Sequence, residues 1–247
     1  PFRMSMVEMD PPRSTRVRQL VQKVLSQRYA SALEPRIDAI VAGCIAKRIT
    51  SGSIEFVDDL VNQVPARVIL EIAGLPPGDW ETFAGPQHRK NHTAPGTPER
   101  EAALSGLQAA RDRMRDEVRA RRAAPVSDLI STIANAQVDG AALTEDDAVD
   151  LLMTFVSGGL GTVTGVMAHS LCYLSQNPAA RAALLDDPSL IAQACEEFLR
   201  YFTPSRGIAR TVSRDTVLSG QQLKRGDRVL LLLGSANHDP DTFADPD

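Results

Sequence analysis

The stretch FVSGGLGTVTGVMAHSLCYL, residues 155–174, combines a long apolar segment with four closely spaced glycines. These glycines are Gly158, Gly159, Gly161 and Gly165. An interior glycine costs a helix about 1 kcal/mol relative to alanine, so this cluster weakens any helix that contains it. Either another group approaches the backbone at these positions, or the helix opens locally.

Helix signals lie on both sides of this stretch. Thr144 is a favoured N-cap residue, and Asp147 places an acid in the first turn, where the helix dipole favours negative charge. Asn177 and Pro178 begin a new segment, because proline is favoured at the first position of a helix. The sequence therefore predicts a helix over residues 144–176, about 50 Å long at 1.5 Å per residue.

Three interpretations of this helix compete. Residues 151–176 contain no Asp, Glu, Lys or Arg, which is a nominal membrane-span pattern. Its many polar residues and an acidic entrance without basic anchors argue against a membrane span. The second interpretation is a buried central helix with glycines at close helix crossings. The third is a helix bent around a bound group, with a threonine side chain turned into the site. From this stretch alone, the buried helix is favoured.

The composition is that of an ordinary water-soluble globular protein. The chain has 247 residues, 43% hydrophobic and 23% charged, and a formal net charge of −4. This charge gives no electrostatic argument for nucleic-acid binding. The three cysteines, Cys44, Cys172 and Cys195, have no zinc-like spacing, so we expect buried thiols in a reducing cytoplasm. No signal peptide is visible, and we expect a chain truncated at both ends.

The fold class predicted from the pattern is mainly α with a small β portion. We expect one domain over 1–247, with a helical body at about 10–203 and a β-rich segment at about 207–235. Residues 84–98 are predicted to form a loop that leaves His88 and His92 solvated. The basic stretch at 111–122 interleaves acids and is predicted to be a solvated helix face.

Glu197 and Arg200 are three residues apart on a predicted helix, so their side chains can meet. Alone, such a surface ion pair is common and contributes roughly a few tenths of a kcal/mol to stability. The flanking residues are mostly apolar, however, which leaves little room for a solvated face. A buried pair of this kind requires further hydrogen-bond partners.

Taken in order, these segments resemble a bacterial soluble cytochrome P450. EEFLR, with Glu197 and Arg200, is similar to the Glu-x-x-Arg motif that braces the core of that family. SGGLGTVTG is similar to the oxygen-activating part of its central helix. MDPPRSTRVRQLV resembles the early haem-contacting helix, and RYFTPSRGIAR resembles the run after Glu-x-x-Arg. The resemblance covers nearly the whole chain and implies a P450-like fold, incomplete in this sequence.

The resemblance also implies roles for single residues. Thr162 would be the catalytic threonine that handles oxygen and protons, and Gly158 and Gly159 would let substrate approach the helix. Arg18 and Arg210 would bind the haem propionates, because a guanidinium forms charge-assisted hydrogen bonds to a carboxylate. The implied cofactor is haem, and the implied function is a monooxygenase acting on a small apolar substrate. A ferredoxin-type electron donor would be its partner, with no nucleic acid and no membrane.

The sequence departs from the family pattern at three places. Gly161 stands where an acid usually precedes the threonine, which removes a titratable proton-relay group. Ser14 stands where a histidine often contacts a propionate. The axial cysteine thiolate lies further downstream in the family, so we expect no metal ligand in this chain. The alternative hypothesis is therefore a P450-derived protein without haem, acting as a binding protein or as a haem-independent enzyme.

Overall fold

The structure is a computed structural model that describes residues 4–247. It is mainly helical, as predicted. The helices are α1 Arg13–Gln22, α2 Gln27–Ala46, α3 Gln63–Ala73, α4 Trp80–His92, α5 Pro98–Ala123, α6 Leu129–Ala134, α7 Glu145–Gly158, α8 Gly161–Gln176, α9 Pro178–Asp186, α10 Ile191–Phe202 and α11 Leu233–Asn237. The strands are β1 Gln137–Val138, β2 Ala141–Ala142, β3 Ile208–Thr211, β4 Thr216–Leu218, β5 Gln221–Leu223 and β6 Arg228–Leu231. A π-helix covers Phe56–Val61.

The chain divides into two compact units, with the boundary between Thr164 and Gly165 inside α8. The first unit contains α1 to α7 and the β1–β2 hairpin. The second contains the rest of α8, helices α9 to α11 and two antiparallel strand pairs, β3–β6 and β4–β5. The expectation of a single domain stays a prediction.

Helix α7 lies in the core of the first unit. Thr144 caps it as predicted, and its hydroxyl accepts a hydrogen bond from the Asp147 amide at 3.1 Å. Its residues from 151 to 156 are all buried, so the helix has no solvated face there. Helices α3, α5 and α6 pack around it. Burial of apolar surface at roughly 25 cal/mol per Å² therefore outweighs the modest helix propensity of its β-branched residues.

Three arginines of α5 pair with acids at the start of α7, so the predicted solvated face at 111–122 packs in part against another helix, while Arg113 and Asp116 stay exposed. Arg111 lies 2.6 Å from Asp150, and Arg115 lies 3.0 Å from Asp146. Arg119 completes the ladder with a bond of 2.8 Å to the first residue of α7. The arginines are spaced four residues apart, so they share one face of α5. Sequence alone showed the helical spacing but not which acidic segment would lie opposite.

The predicted loop at 84–98 is wrong for its first half, because α4 continues to His92. Gly85 and Pro86 lie inside this helix and are buried. A Cβ added to Gly106 of α5 would lie 2.8 Å from the Pro86 ring, so the two helices meet closely there. Packing against α5 thus overrides the local preference of Gly and Pro for a loop.

An aromatic cluster joins α8 and α10 in the second unit. The ring of Phe202 lies 5.2 Å from that of His169 and 6.4 Å from that of Tyr173, measured between centroids. Phe198 stacks on Phe202 at 5.9 Å. Thr203 is nevertheless the only residue of 165–247 that is buried. The strands of this unit confirm the predicted β portion, and the β4–β5 turn places Ser219 at positive φ.

Candidate functional site

The predicted helix over 144–176 is interrupted at its glycines. Helix α7 ends at Gly158 and α8 begins at Gly161, with a turn at residues 159–160. A Cβ added to Gly159 would lie 2.8 Å from Cδ1 of Ile69 on α3. Gly159 is therefore needed for close packing of α3 against the turn. The substrate role of Gly158 and Gly159 stays a prediction.

By length and composition, residues 145–176 are long and apolar enough to cross a membrane, because an 18-residue window within them has a mean hydropathy of 1.5. Core helices of globular proteins have the same character. Here the first half is packed in the core of its unit, and the run is broken by the turn at 159–160. These two features favour the core-helix interpretation.

The other three glycines of the stretch have open space beside them. A Cβ added to Gly158, Gly161 or Gly165 would meet no atom within 4 Å. Packing within the structure therefore does not explain them. An open backbone is what a site for a bound group requires, because small residues allow close approach.

Two threonines beside the break have different partners. The Thr162 hydroxyl donates to the Gly158 carbonyl at 3.0 Å, one turn earlier along the helix. The Thr164 hydroxyl donates to the Val61 carbonyl at 3.0 Å, at the end of the π-helix. Thr164 therefore anchors α8 to another element, whereas Thr162 bonds only locally and keeps acceptor capacity for a ligand. Sequence analysis missed Thr164, because nothing in the sequence places residue 61 beside it.

Arg18 lies on α1 and is exposed. Val17 and Val21 of the same helix are buried, so Arg18 points away from the core. Arg13 pairs with Asp147 at 3.2 Å, whereas the Arg18 guanidinium has no ion-pair or hydrogen-bond partner among residues 4–247. Ser14 is one turn earlier and shares a face with Arg18. The helix thus presents an unneutralised cation and a hydroxyl together, which suits an anion.

Arg210 lies on β3 opposite Val229 and is exposed. Its guanidinium donates to the Ala209 carbonyl at 3.0 Å and contacts no carboxylate in the described part of the chain. It too is a cation free to pair with an anion. The haem-binding roles of Ser14, Arg18 and Arg210 stay predictions.

Glu197 and Arg200 form the predicted contact in a bidentate arrangement. The Arg200 Nε and Nη2 atoms donate to the two carboxylate oxygens at 2.8 and 2.7 Å. Nη1 of Arg200 donates to the carbonyls of Asn237 and Pro246 at 2.7 and 2.8 Å. The pair is less buried than expected, because the Glu197 side chain is 57% exposed. Arg200 ties α10 to α11 and to the segment after it.

The hydrogen bonds from Arg200 lower the pKa of Glu197 below its ordinary value, and they raise the pKa of Arg200. A carboxylate with a lowered pKa in the folded state stabilises the protein at pH values above its unfolded pKa. That stabilisation is lost as the pH falls through the folded pKa. The exposure of Glu197 keeps this contribution small.

His88 lies on α4 and is not the solvated loop residue that sequence analysis expected. Its Nε2 atom is buried and has no hydrogen-bond partner among the described residues. Burial lowers its pKa, and the nearby charge of His92 lowers it further. The imidazole is therefore neutral at neutral pH. An unpaired buried ring nitrogen is a candidate hydrogen-bonding group for a ligand.

All three cysteines of the chain lie on helices. Cys44 is buried in α2 as expected, whereas Cys172 on α8 and Cys195 on α10 are exposed, so the expectation of buried thiols is wrong for these two. None of them lies in a glycine-rich loop. In residues 4–247 there is also no group of three or more His, Cys, Asp or Glu that could hold a metal ion. Arg18 and Arg210 are each exposed and have no carboxylate partner among residues 4–247, and their role as propionate ligands stays a prediction.

A mainly helical chain with a glycine-broken central helix and a bidentate Glu-x-x-Arg pair defines the class of protein. The cytochrome P450 family model matches residues 185–247, which include this pair. The chain is 32% identical over 244 residues to the vitamin D(3) 25-hydroxylase of Pseudonocardia autotrophica, covering 98% of this chain and 60% of the relative. It is 35% identical over 247 residues to the cyclomarin C epoxidase CymV of Salinispora arenicola, covering 98% of this chain and 62% of the relative.

The fold gives the same result. A mutant of P450 EryK in complex with erythromycin B matches all of this chain with a TM-score of 0.88 and 30% identity. The match covers 64% of that structure. The chain belongs to the cytochrome P450 family, of the bacterial type, and spans about three-fifths of the length of the curated relatives it matches.

Proposed function

We propose that this chain is part of a haem-dependent monooxygenase. The observation that carries the proposal is the likeness along 98% of the chain to relatives named as a hydroxylase and an epoxidase. Both names describe the insertion of oxygen into an organic molecule. The alternative, a P450-derived protein that works without haem, has less support, because the open glycines and the free arginines both suit a bound anionic cofactor.

In this proposal Arg18, with Ser14 beside it, and Arg210 bind the propionates of haem. Neither guanidinium is neutralised by a carboxylate, so each can form a charge-assisted hydrogen bond to an anion. Haem with an axial thiolate supplies the oxygen chemistry of this family. The three cysteines described here are not assigned that ligand role.

The Thr162 hydroxyl holds a proton beside the helix break. It donates to the Gly158 carbonyl, so its lone pairs remain able to accept a hydrogen bond from water or from a reacting group. Gly161 provides no carboxylate, and proton supply at this position therefore depends on the hydroxyl rather than on a titratable side chain. Gly158 leaves the space in which a substrate lies against the backbone.

We further propose a small, largely apolar organic substrate, an electron donor of the ferredoxin type and a cytoplasmic location. The substrate class follows from the uncharged stretch at 151–176, which offers no ionic contact. The electron donor and the location rest on the bacterial type of the family. Nucleic acid is not proposed as a partner because the net charge is −4, and a membrane is not proposed because α7 packs in the core of its unit.

The test is the absorption spectrum of the purified chain mixed with haem, reduced and exposed to carbon monoxide. A thiolate-type shifted band would support the monooxygenase and would show that a cysteine reaches the iron. A folded, helical chain that takes up no haem would contradict haem binding by this chain itself and would leave either a part of a longer haem enzyme or a haem-free relative of the family. Substrate turnover in the absence of iron would contradict the proposal.

A further inference from the structure

A cleft of about 400 Å³ lies between α2 and α3 in the first unit. None of its lining residues is a predicted haem contact. The residues that α2 contributes are three or four positions apart and share one face of that helix, and α3 contributes two residues one turn apart. The lining residues are Arg36, Ala39, Ile40, Gly43, Cys44, Lys47, Arg67 and Glu71.

The charge of this cleft is positive. Arg36 pairs with Glu71, so these two charges offset each other. Lys47 is exposed and has no ion-pair partner within residues 4–247. Arg67 donates from Nη2 to the neutral Gln63 side chain at 3.2 Å and contacts no carboxylate in the described chain. Two cations therefore remain without a counter-charge at one cleft.

Arg67 also carries a buried donor without an acceptor. Its Nε atom is shielded from solvent and has no hydrogen-bond partner among the described residues. The guanidinium lies over the Trp80 ring, with 5.9 Å from its central carbon to the ring centroid, which limits its freedom to turn towards solvent. A buried polar group left unpaired costs roughly 1–3 kcal/mol, so an acceptor at this position would be favourable.

The α2 wall between these cations is small and apolar. A Cβ added to Gly43 would meet no atom within 4 Å, so the space above this glycine is empty. Ala39 and Ile40 continue the wall towards the start of the helix, and the buried Cys44 thiol adjoins it. Such a surface suits a short hydrocarbon portion rather than a second charged group.

We propose that this cleft binds a small organic anion with an apolar portion, such as an alkyl phosphate or alkyl carboxylate. The anionic head pairs with Lys47 and Arg67, two cations without a carboxylate partner that line the same cleft. The apolar portion lies over Gly43 and along Ala39 and Ile40. This site involves residues that the haem proposal does not use, so each proposal can fail without the other.

The test is isothermal titration calorimetry of the purified chain with n-hexyl phosphate, with hexanol and inorganic phosphate as separate probes. We expect hexyl phosphate to bind, hexanol not to bind detectably, and inorganic phosphate to bind more weakly. Charge reversal by Lys47→Glu should weaken the binding of hexyl phosphate by about tenfold or more, because charge-assisted hydrogen bonds are stronger than those between neutral groups. Gly43→Leu fills the cleft and leaves its charges in place, and it should also weaken the binding of hexyl phosphate.

Arg28→Glu is the matched control, because Arg28 is exposed on the same helix and does not line the cleft. It should leave the affinity for hexyl phosphate within about twofold. Circular dichroism establishes that each variant is folded. Absence of binding to the folded chain would overturn the proposal, as would an affinity that neither Lys47→Glu nor Gly43→Leu changes. Equal affinity for inorganic phosphate would overturn the assignment of an apolar portion.

Discussion

Replacing Gly159 with alanine tests whether the helix break is held by packing. The new Cβ would lie 2.8 Å from Cδ1 and 2.9 Å from Cγ1 of Ile69, closer than side chains approach without a shift of neighbouring atoms. Overpacking of this kind typically costs about 1–3 kcal/mol. Gly159 lies in the turn with φ −83°, which alanine can adopt, so alanine also gains about 0.4–1 kcal/mol by restricting the unfolded chain, which offsets part of this cost.

Gly158→Ala is the matched control, since no atom lies within 4 Å of its added Cβ. The gain from restricting the unfolded chain applies to both variants and cancels when they are compared. We therefore expect Gly159→Ala to be less stable than Gly158→Ala by about 1–3 kcal/mol, the cost of the contact itself. Ile69→Ala removes both crowded atoms, so in that background the two alanine variants should be equally stable.

The assay is urea unfolding followed by tryptophan fluorescence. Trp80 is the only tryptophan of the chain, and it packs against the core of the unit that contains both Gly159 and Ile69. The midpoint should change with an unaltered slope if the folded state alone is affected. Equal midpoints for Gly158→Ala and Gly159→Ala would refute the packing explanation. A difference that persists in the Ile69→Ala background would refute it too.

Three further predictions follow from single contacts. Thr164→Val should lower the free energy of unfolding by about 0.5–1.5 kcal/mol, because the substitution removes a hydrogen bond to another element. Thr162→Val loses only a local hydrogen bond and should change the free energy of unfolding by about 0.5 kcal/mol or less. His88 has a lowered pKa in the folded state, so near and below pH 6.5 the unfolded chain binds more protons, and the protein loses stability as the pH is lowered. His88→Gln should reduce this loss in urea titrations between pH 7 and 5, and an unchanged dependence on pH would contradict the burial of the ring. Glu197 stabilises the fold when ionised, so Glu197→Gln should lower the thermal unfolding midpoint at pH 7. This effect should shrink as the pH falls through the lowered pKa of Glu197, whereas Glu196→Gln, at an exposed neighbour, should change the midpoint little at any of these pH values.

The features that sequence predicted correctly depend on short spacing. The Thr144 cap, the Glu197–Arg200 contact and the β4–β5 hairpin each involve residues a few positions apart, where helix and turn geometry are nearly fixed. The resemblance to the P450 family likewise rested on ordered local motifs. Secondary-structure class was predictable for the same reason.

The features that sequence missed depend on contacts between distant segments. The predicted loop at 84–98 became part of α4 because Pro86 packs against α5. The bond between Thr164 and Val61 joins residues more than one hundred positions apart. Lys47 and Arg67, two cations without a carboxylate partner, line the same cleft only because α3 lies beside α2. Local pattern carries no information on which elements become neighbours.

The most direct test of haem binding is a titration of the purified chain with haem, followed by the absorbance of the bound cofactor, in wild type and in Arg18→Gln. Arg13→Gln is the control, because Arg13 lies on the same helix and already pairs with Asp147. If Arg18 binds a propionate, haem affinity should fall by about tenfold in Arg18→Gln, as expected for one charge-assisted hydrogen bond, and should stay within about twofold in Arg13→Gln. Equal haem affinity in all three proteins would contradict the role of Arg18, and no uptake by the folded wild-type chain would contradict haem binding by this chain.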